Sequence, residues 1–208
     1  MRLILVRHGE TEWNRQRRVQ GLSNLALNDT GRKQAEALGR ALRNEKVDAI
    51  YSSPLRRAQE TARAISRFHN VGVEILDGLK ELDVGEVDGM TYEDMKIHHG
   101  EFFTRWMTDF TSVRLPGGGF VPELRDQCCS AVQDIVKKER EAGEDDRVAV
   151  VVTHFFPIMC IICNSMGLDL SHCRRLRLDL ASISALDFNT GSTVLVSLND
   201  TCHLREGI

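Results

Sequence analysis

Four consecutive apolar residues, Leu3-Ile4-Leu5-Val6, lie at the start of the chain, and polarity arrives abruptly at Arg7-His8-Gly9-Glu10. A short unbroken apolar run, partly β-branched, predicts a strand covered on both faces, as in a parallel sheet between helices. The pattern returns at 148–152, where the run stops at Thr153-His154. Runs at 47–51 and 73–76 predict two more strands, and 183–188 with 194–198 predict a closing hairpin around Asn189-Thr190-Gly191. Between the strands, apolar residues recur at helical spacing. Ala35, Leu38, Ala41 and Leu42 mark a helix that Thr30 would cap and that runs to about Arg43. Leu55, Ala58, Ala62 and Ile65 mark the next, with Ser53 as its cap and Pro54 at its first position. Pro122 opens a helix to about Arg140, and 157–166 is apolar nearly all round, hence a buried helix closed by Gly167. Residues 91–108 read as a mixed helical excursion rich in aromatics, and 109–120, which contains Gly117-Gly118-Gly119, as a mobile loop.

Two predicted strands thus end in a histidine. Open α/β sheets place their ligands at the carboxyl ends of their strands, so His8 and His154 can enter one crevice. Helical spacing adds a cation. Arg56 shares a face with Glu60, Arg63 and Arg67 and reads as solvated, whereas Arg57 lies with Thr61 and Ala64 beside the apolar stripe. Two arginines in a first helical turn oppose the helix dipole, and an anion there would relieve the conflict. The segment 79–89 follows, dense in carboxylates and glycine, and any one of its acids could face the crevice.

The chain has 208 residues, 42% of them hydrophobic and 27% charged, with a formal net charge of -3. This is a globular composition long enough for one domain spanning 1–208, with a helical excursion at about 91–121. No basic block points to nucleic acid or a membrane surface, and no apolar run approaches a transmembrane length. Six cysteines without a framework spacing predict a reduced, cytoplasmic protein without structural zinc.

Histidine and carboxylate are both metal ligands, but two arginines beside the histidines would repel a cation, so no metal is expected. An oxyanion suits guanidinium forks better. Phosphoryl transfer asks mainly for charge stabilisation and in-line positioning, and a neutral imidazole can itself be the nucleophile.

The segment Leu5-Val6-Arg7-His8-Gly9-Glu10-Thr11-Glu12-Trp13-Asn14 resembles the signature of the histidine phosphatase superfamily, in its phosphoglycerate-mutase-like branch. The resemblance continues through Ser52-Ser53-Pro54-Leu55-Arg56-Arg57-Ala58, the Glu81 loop, Thr153-His154 and the tail Asn199-Asp200-Thr201-Cys202-His203-Leu204, covering nearly the whole chain. It implies a three-layer α/β/α sandwich with a mostly parallel central sheet and an antiparallel edge strand. It implies that His8 is the phosphorylated nucleophile, that Arg7, Arg57 and His154 hold the phosphoryl oxygens, and that Glu81 donates the proton. Asn14, Gln20, Gly21, Phe155 and His203 would complete the phosphate and substrate site. Phe155-Phe156-Pro157, Gly118-Gly119-Phe120 and Val87 depart from the common family pattern, and with them substrate identity is left open. The tail and the Pro157 region are similar to metal-independent phosphoserine phosphatases, but Val84 stands where those carry a histidine. The α-ribazole phosphatases and the broad-specificity small-molecule phosphatases are equally open. The expected function is hydrolysis of small phosphomonoesters without a cofactor. The alternatives are a mutase or a protein phosphohistidine phosphatase, and a homodimer through an exposed sheet edge fits this architecture.

Overall fold

The computed structural model describes residues 1–142 and 146–205. Its centre is a six-stranded sheet formed by β1 (Arg2–Arg7), β2 (Ala49–Ser52), β3 (Val73–Ile75), β4 (Val148–Thr153), β5 (Ile183–Asn189) and β6 (Ser192–Asp200), in the order β3-β2-β4-β1-β5-β6. The first four run parallel, and the antiparallel pairings are confined to the β5–β6 margin.

The apolar runs form buried strands because each supplies both faces. Leu3, Leu5, Ala149 and Val151 pack towards one layer, against Val132 and Ile135 of α6 (Val121–Glu141) and Ile158 and Ile162 of α7 (Phe155–Ser165). Ile4, Val6, Val150 and Val152 point the other way, onto Leu38 and Leu42 of α2 (Asp29–Leu42) and Ala58, Ala62 and Ile65 of α3 (Arg56–Ser66). Alternation of side chains along a strand thus produces the three layers. A four-residue helix, α1 (Glu12–Arg15), follows β1, and the excursion forms α4 (Tyr92–His98) and α5 (Gly100–Thr108).

Helix starts depart from the sequence expectation. Asn28, not Thr30, caps α2, accepting the N–H of Gly31 at 2.8 Å. Helix α3 begins at Arg56 rather than at Pro54: the Ser53 N–H still pairs with Val152 O at 3.0 Å, and Leu55 keeps extended dihedrals. Asn24, from the preceding loop, accepts the Arg56 N–H at 2.7 Å in place of a local cap. Helix α7 starts at Phe155, so Pro157 occupies its third position, where a missing N–H leaves no bond unmade. The glycine run of 117–119 packs closely. Gly119 N–H reaches Asp83 O at 2.8 Å, and a Cβ on Gly118 would lie 2.7 Å from the same oxygen. That segment is a strap over the Glu81 loop.

Candidate active site

Strand β1 hands directly to His8, and the ladder continues one residue further, with His8 N–H on Thr153 O at 3.1 Å. Because β1 and β4 are neighbours, the His8 and His154 rings lie 5.1 Å apart at 60°. Gly9 follows because no side chain fits: a Cβ there would stand 2.6 Å from the carbonyl oxygen of Gly31. Thr61, one turn after Arg57, accepts the Gly9 N–H at 3.1 Å and donates to Arg57 O at 2.8 Å, joining the histidine turn to α3.

Arg57 is fully buried, and its fork is used on every side. Nη1 donates to Ser23 O at 2.9 Å and Nη2 to Gly21 O at 2.8 Å. The remaining Nε–H lies between two imidazoles, 3.2 Å from His8 Nε2 and 3.2 Å from His154 Nδ1. A guanidinium only donates, so both of those ring nitrogens present lone pairs. The proton of His8 is then on Nδ1, which donates to Gly9 O at 2.7 Å. His8 is therefore a neutral imidazole with its free lone pair on Nε2. Burial, followed by Arg57 and Arg7, holds its pKa well below the ordinary 6.5. His154 is lowered likewise by burial, Arg57, His8 and Arg7. Burial also brings Arg7 and Arg57 down to about 10, so both stay cationic at neutral pH.

His8 opens into a cavity of about 320 Å³. Its lining combines the polar Arg7, Glu81, Asn14, Gln20 and Arg18 with Val19, Val84, Tyr92, Phe155 and Phe156. Arg7 spends Nη1 on Leu178 O at 2.7 Å and lies 5.3 Å over the Phe155 ring, while its buried Nε has no partner among the described residues. Buried Gln20 Nε2 has none among them either. Asn14 commits Oδ1 to Thr11, which leaves its amide N–H groups for the cavity it lines. Such unpaired buried donors beside a lone pair suit a tetrahedral oxyanion.

Glu81 is buried, with Oε1 on the Leu82 N–H at 2.8 Å and Oε2 on the Phe155 N–H at 3.1 Å. Burial raises its pKa, against the pull of the Leu82 N–H, Arg57 and Arg7. Thr153 Oγ1 donates to Leu79 O at 2.6 Å and pins this loop to the end of β4.

Of the expected site residues, Arg7, His8, Asn14, Gln20, Glu81 and Phe155 line the cavity, and Arg57 and His154 lie buried against His8. Gly21 contributes only its carbonyl, to Arg57. His203 is not brought to the cavity: Nε2 donates to Ala181 O at 2.9 Å, and the ring borders a separate groove beside α2. Ala181 has a left-handed φ of 54°, and its N–H donates to His8 O at 3.1 Å, so His203 supports the backbone behind His8. Phe120 lies outside the cavity too, against Arg114. Sequence reasoning missed Arg18 and Tyr92 as lining residues and gave Ser53 a capping role. Its Oγ instead stands 2.7 Å from His154 Nε2.

A mostly parallel sheet that brings two histidines to the carboxyl ends of adjacent strands, around a shared arginine, defines a phosphoryl-transfer site of the phosphohistidine type. The family model for the histidine phosphatase superfamily, branch 1, matches residues 3–201, and the chain belongs to that superfamily. It is a metal-independent phosphatase of small phosphomonoesters that works through a phosphohistidine. Among curated relatives, phosphoserine phosphatase 1 of Hydrogenobacter thermophilus is 35% identical over 206 residues, 99% of this chain and 95% of the relative. Among solved structures, phosphoserine phosphatase of Entamoeba histolytica in complex with 3-phosphoglyceric acid has a TM-score of 0.83 at 29% identity, covering 98% of each chain. Mycobacterial glucosyl-3-phosphoglycerate phosphatase, solved with VO3, has a TM-score of 0.87 at 27% identity, covering 96% of this chain and 99% of that one.

Proposed function

We propose that His8 is the nucleophile of this phosphatase and Glu81 its proton donor, acting on a small phosphorylated metabolite held in the 320 Å³ cavity. The observation that carries the reading is the orientation of His8: its proton is committed to Gly9 O, and its lone pair on Nε2 shares the Arg57 N–H with His154. Nε2 attacks phosphorus in line and the ester P–O bond breaks. Glu81, whose pKa burial raises, gives a proton to the departing alkoxide. Arg7, Arg57, His154, Asn14 and Gln20 stabilise charge on the phosphoryl oxygens. Glu81, now a carboxylate, takes a proton from the water that attacks the phosphohistidine, releasing phosphate and restoring His8. Substrate selection falls to the lining residues outside the His8 cluster, Arg18, Tyr92, Val84 and Phe156.

The partner is thus a small phosphorylated metabolite rather than nucleic acid or membrane. Six free cysteines fit a cytoplasmic location, and the open edge of β6 is the surface for a homodimer. The test is release of phosphate from p-nitrophenyl phosphate, phosphoserine, phosphoglycerates and α-ribazole phosphate with chelator present. Wild type should turn over at least one of them and leave an acid-labile phosphoryl group on His8 after quenching. His8→Ala should fall to background, and full activity in that variant would overturn the assignment.

A further inference from the structure

His154 is fully buried, and its two nitrogens are engaged on opposite sides. Nδ1 accepts from Arg57 Nε at 3.2 Å, and Nε2 stands 2.7 Å from Ser53 Oγ. With Nδ1 accepting, Nε2 carries the proton and Ser53 is the acceptor. A phosphoryl group on His8 reverses what Nδ1 must do. Its oxygens enter between two rings whose centroids are 5.1 Å apart, and a lone pair facing an anionic oxygen repels where an N–H would attract.

There are two ways to put hydrogen on Nδ1. Adding a proton makes a buried imidazolium, which burial and the neighbouring Arg57, His8 and Arg7 all oppose. Exchanging tautomers keeps the ring neutral, but requires a partner on Nε2 that can change from acceptor to donor. A hydroxyl can do so; a carbonyl or an amide N–H cannot. We propose that Ser53 is a positioning residue that lets His154 change tautomer when the phosphoryl group arrives, so that an imidazole accepting from Arg57 becomes one donating to phosphate oxygen. The inference rests on His8 being the nucleophile. In balance, one proton leaves Nε2 for water and one is taken from water at Nδ1, with no change in net charge. In the anion-bound state the Ser53 O–H donates to Nε2, while its oxygen keeps the Leu55 N–H, now at 3.3 Å. Arg57 Nε–H and His154 Nδ1–H then converge on the same oxygen. Ser53 was buried there in the first place because the Ser53 N–H holds the chain in the sheet beyond β2, two residues short of the helix.

The test is ¹⁵N NMR of the imidazoles of the whole protein, with vanadate as probe. In the free protein His154 should show a protonated Nε2 and a bare Nδ1; with vanadate the two should exchange character. Ser53→Ala should lower kcat about tenfold or more while KM changes less than about twofold, the loss typical of removing a hydrogen-bond partner behind a site ligand. Ser53→Thr, which keeps the hydroxyl, should restore most of the lost kcat. Two protonated nitrogens with vanadate, an unchanged tautomer, or a wild-type kcat in Ser53→Ala would each overturn the proposal. Should Ser53→Ala not fold, the spectra of the native protein and the Ser53→Thr rates still decide. Activity in His8→Ala would remove the underlying site assignment instead, whereas an inert His8→Ala beside an unaffected Ser53→Ala would remove only the role of Ser53.

Discussion

At the scale of single residues, the site is defined by which atoms have partners and which do not. Glu81 illustrates this: both of its oxygens accept backbone N–H groups, yet burial still pushes its pKa up. A donor of that kind is needed only when the leaving group is a poor one. Glu81→Gln should therefore lose about 10²–10⁴-fold on an alkyl phosphate such as phosphoserine. On p-nitrophenyl phosphate, whose leaving group departs unaided, it should give a burst of one equivalent of nitrophenolate followed by slow turnover, because water attack on the phosphohistidine still lacks its base. Stopped-flow absorbance distinguishes the two; equal losses on both substrates without a burst would remove Glu81 from the first step. In wild type, activity on alkyl phosphates should decline as pH rises through the raised pKa of Glu81. The residue scale is also where sequence reading had least to work with. His8 and His154 stand out because each ends an apolar run, and Arg57 because of its helical phase. Glu81 is one of several acids in its loop, and only family resemblance singles it out. The meeting of Ser53 with His154 joins positions 101 apart in sequence, and no local pattern encodes it. His203 went astray for the same reason, since its partner Ala181 becomes adjacent only after folding.

At the scale of elements, the turn after β1 and the first turn of α2 form one unit held by the absence of side chains. A Cβ on Gly31 would stand 2.0 Å from Glu10 O, and Asn28 ties to the same residue through Nδ2 on Glu10 Oε1 at 2.7 Å. Gly31→Ala has the better helix propensity, yet should destabilise the protein by about 1–3 kcal/mol, the range for overpacking. It should also lower kcat by displacing His8. Urea unfolding with parallel kinetics is the measurement, and a stabilised, fully active variant would contradict the packing argument. The elements themselves were largely legible, since the strands, α2, α3, α6 and α7 follow from apolar runs and helical spacing. Their starts were not, because two of them depend on partners elsewhere: α3 on Asn24 and on the sheet that holds Ser53, and α2 on Glu10 behind its cap Asn28.

At the scale of the whole molecule, the sheet order gathers cations and neutral imidazoles from three elements into one buried place, and stability must carry the imprint. His8 and His154 have folded pKa values below the ordinary 6.5, so the unfolded chain binds their protons first as pH falls. Their contribution is fully present above about 6.5 and is lost as pH falls through the folded values, at about 1.4 kcal/mol per pH unit for each group. Glu81, raised, acts in the opposite sense, so the comparison belongs in a Glu81→Gln background. There, unfolding free energy should drop between pH 6.5 and 5.5, and adding His154→Asn should lessen that slope, the remainder coming from His8 and from His69 and His203, which burial also lowers. Equal slopes in the two proteins would mean that His154 takes up its proton while folded.

The grip of Arg57 on the carbonyls of Gly21 and Ser23 has a consequence for reading its variants. The guanidinium is a tether as well as the proposed anion ligand: the stretch carrying Gln20 is fastened to α3 by that fork and by Asn24 on the Arg56 N–H, and to the Glu81 loop by Asp88, which accepts the Gly21 and Ser23 N–H groups at 2.8 and 3.1 Å. Removing Arg57 would loosen this flap while stripping charge from the phosphate, so a lost rate alone would mix two injuries that only the rigidity of the flap can separate.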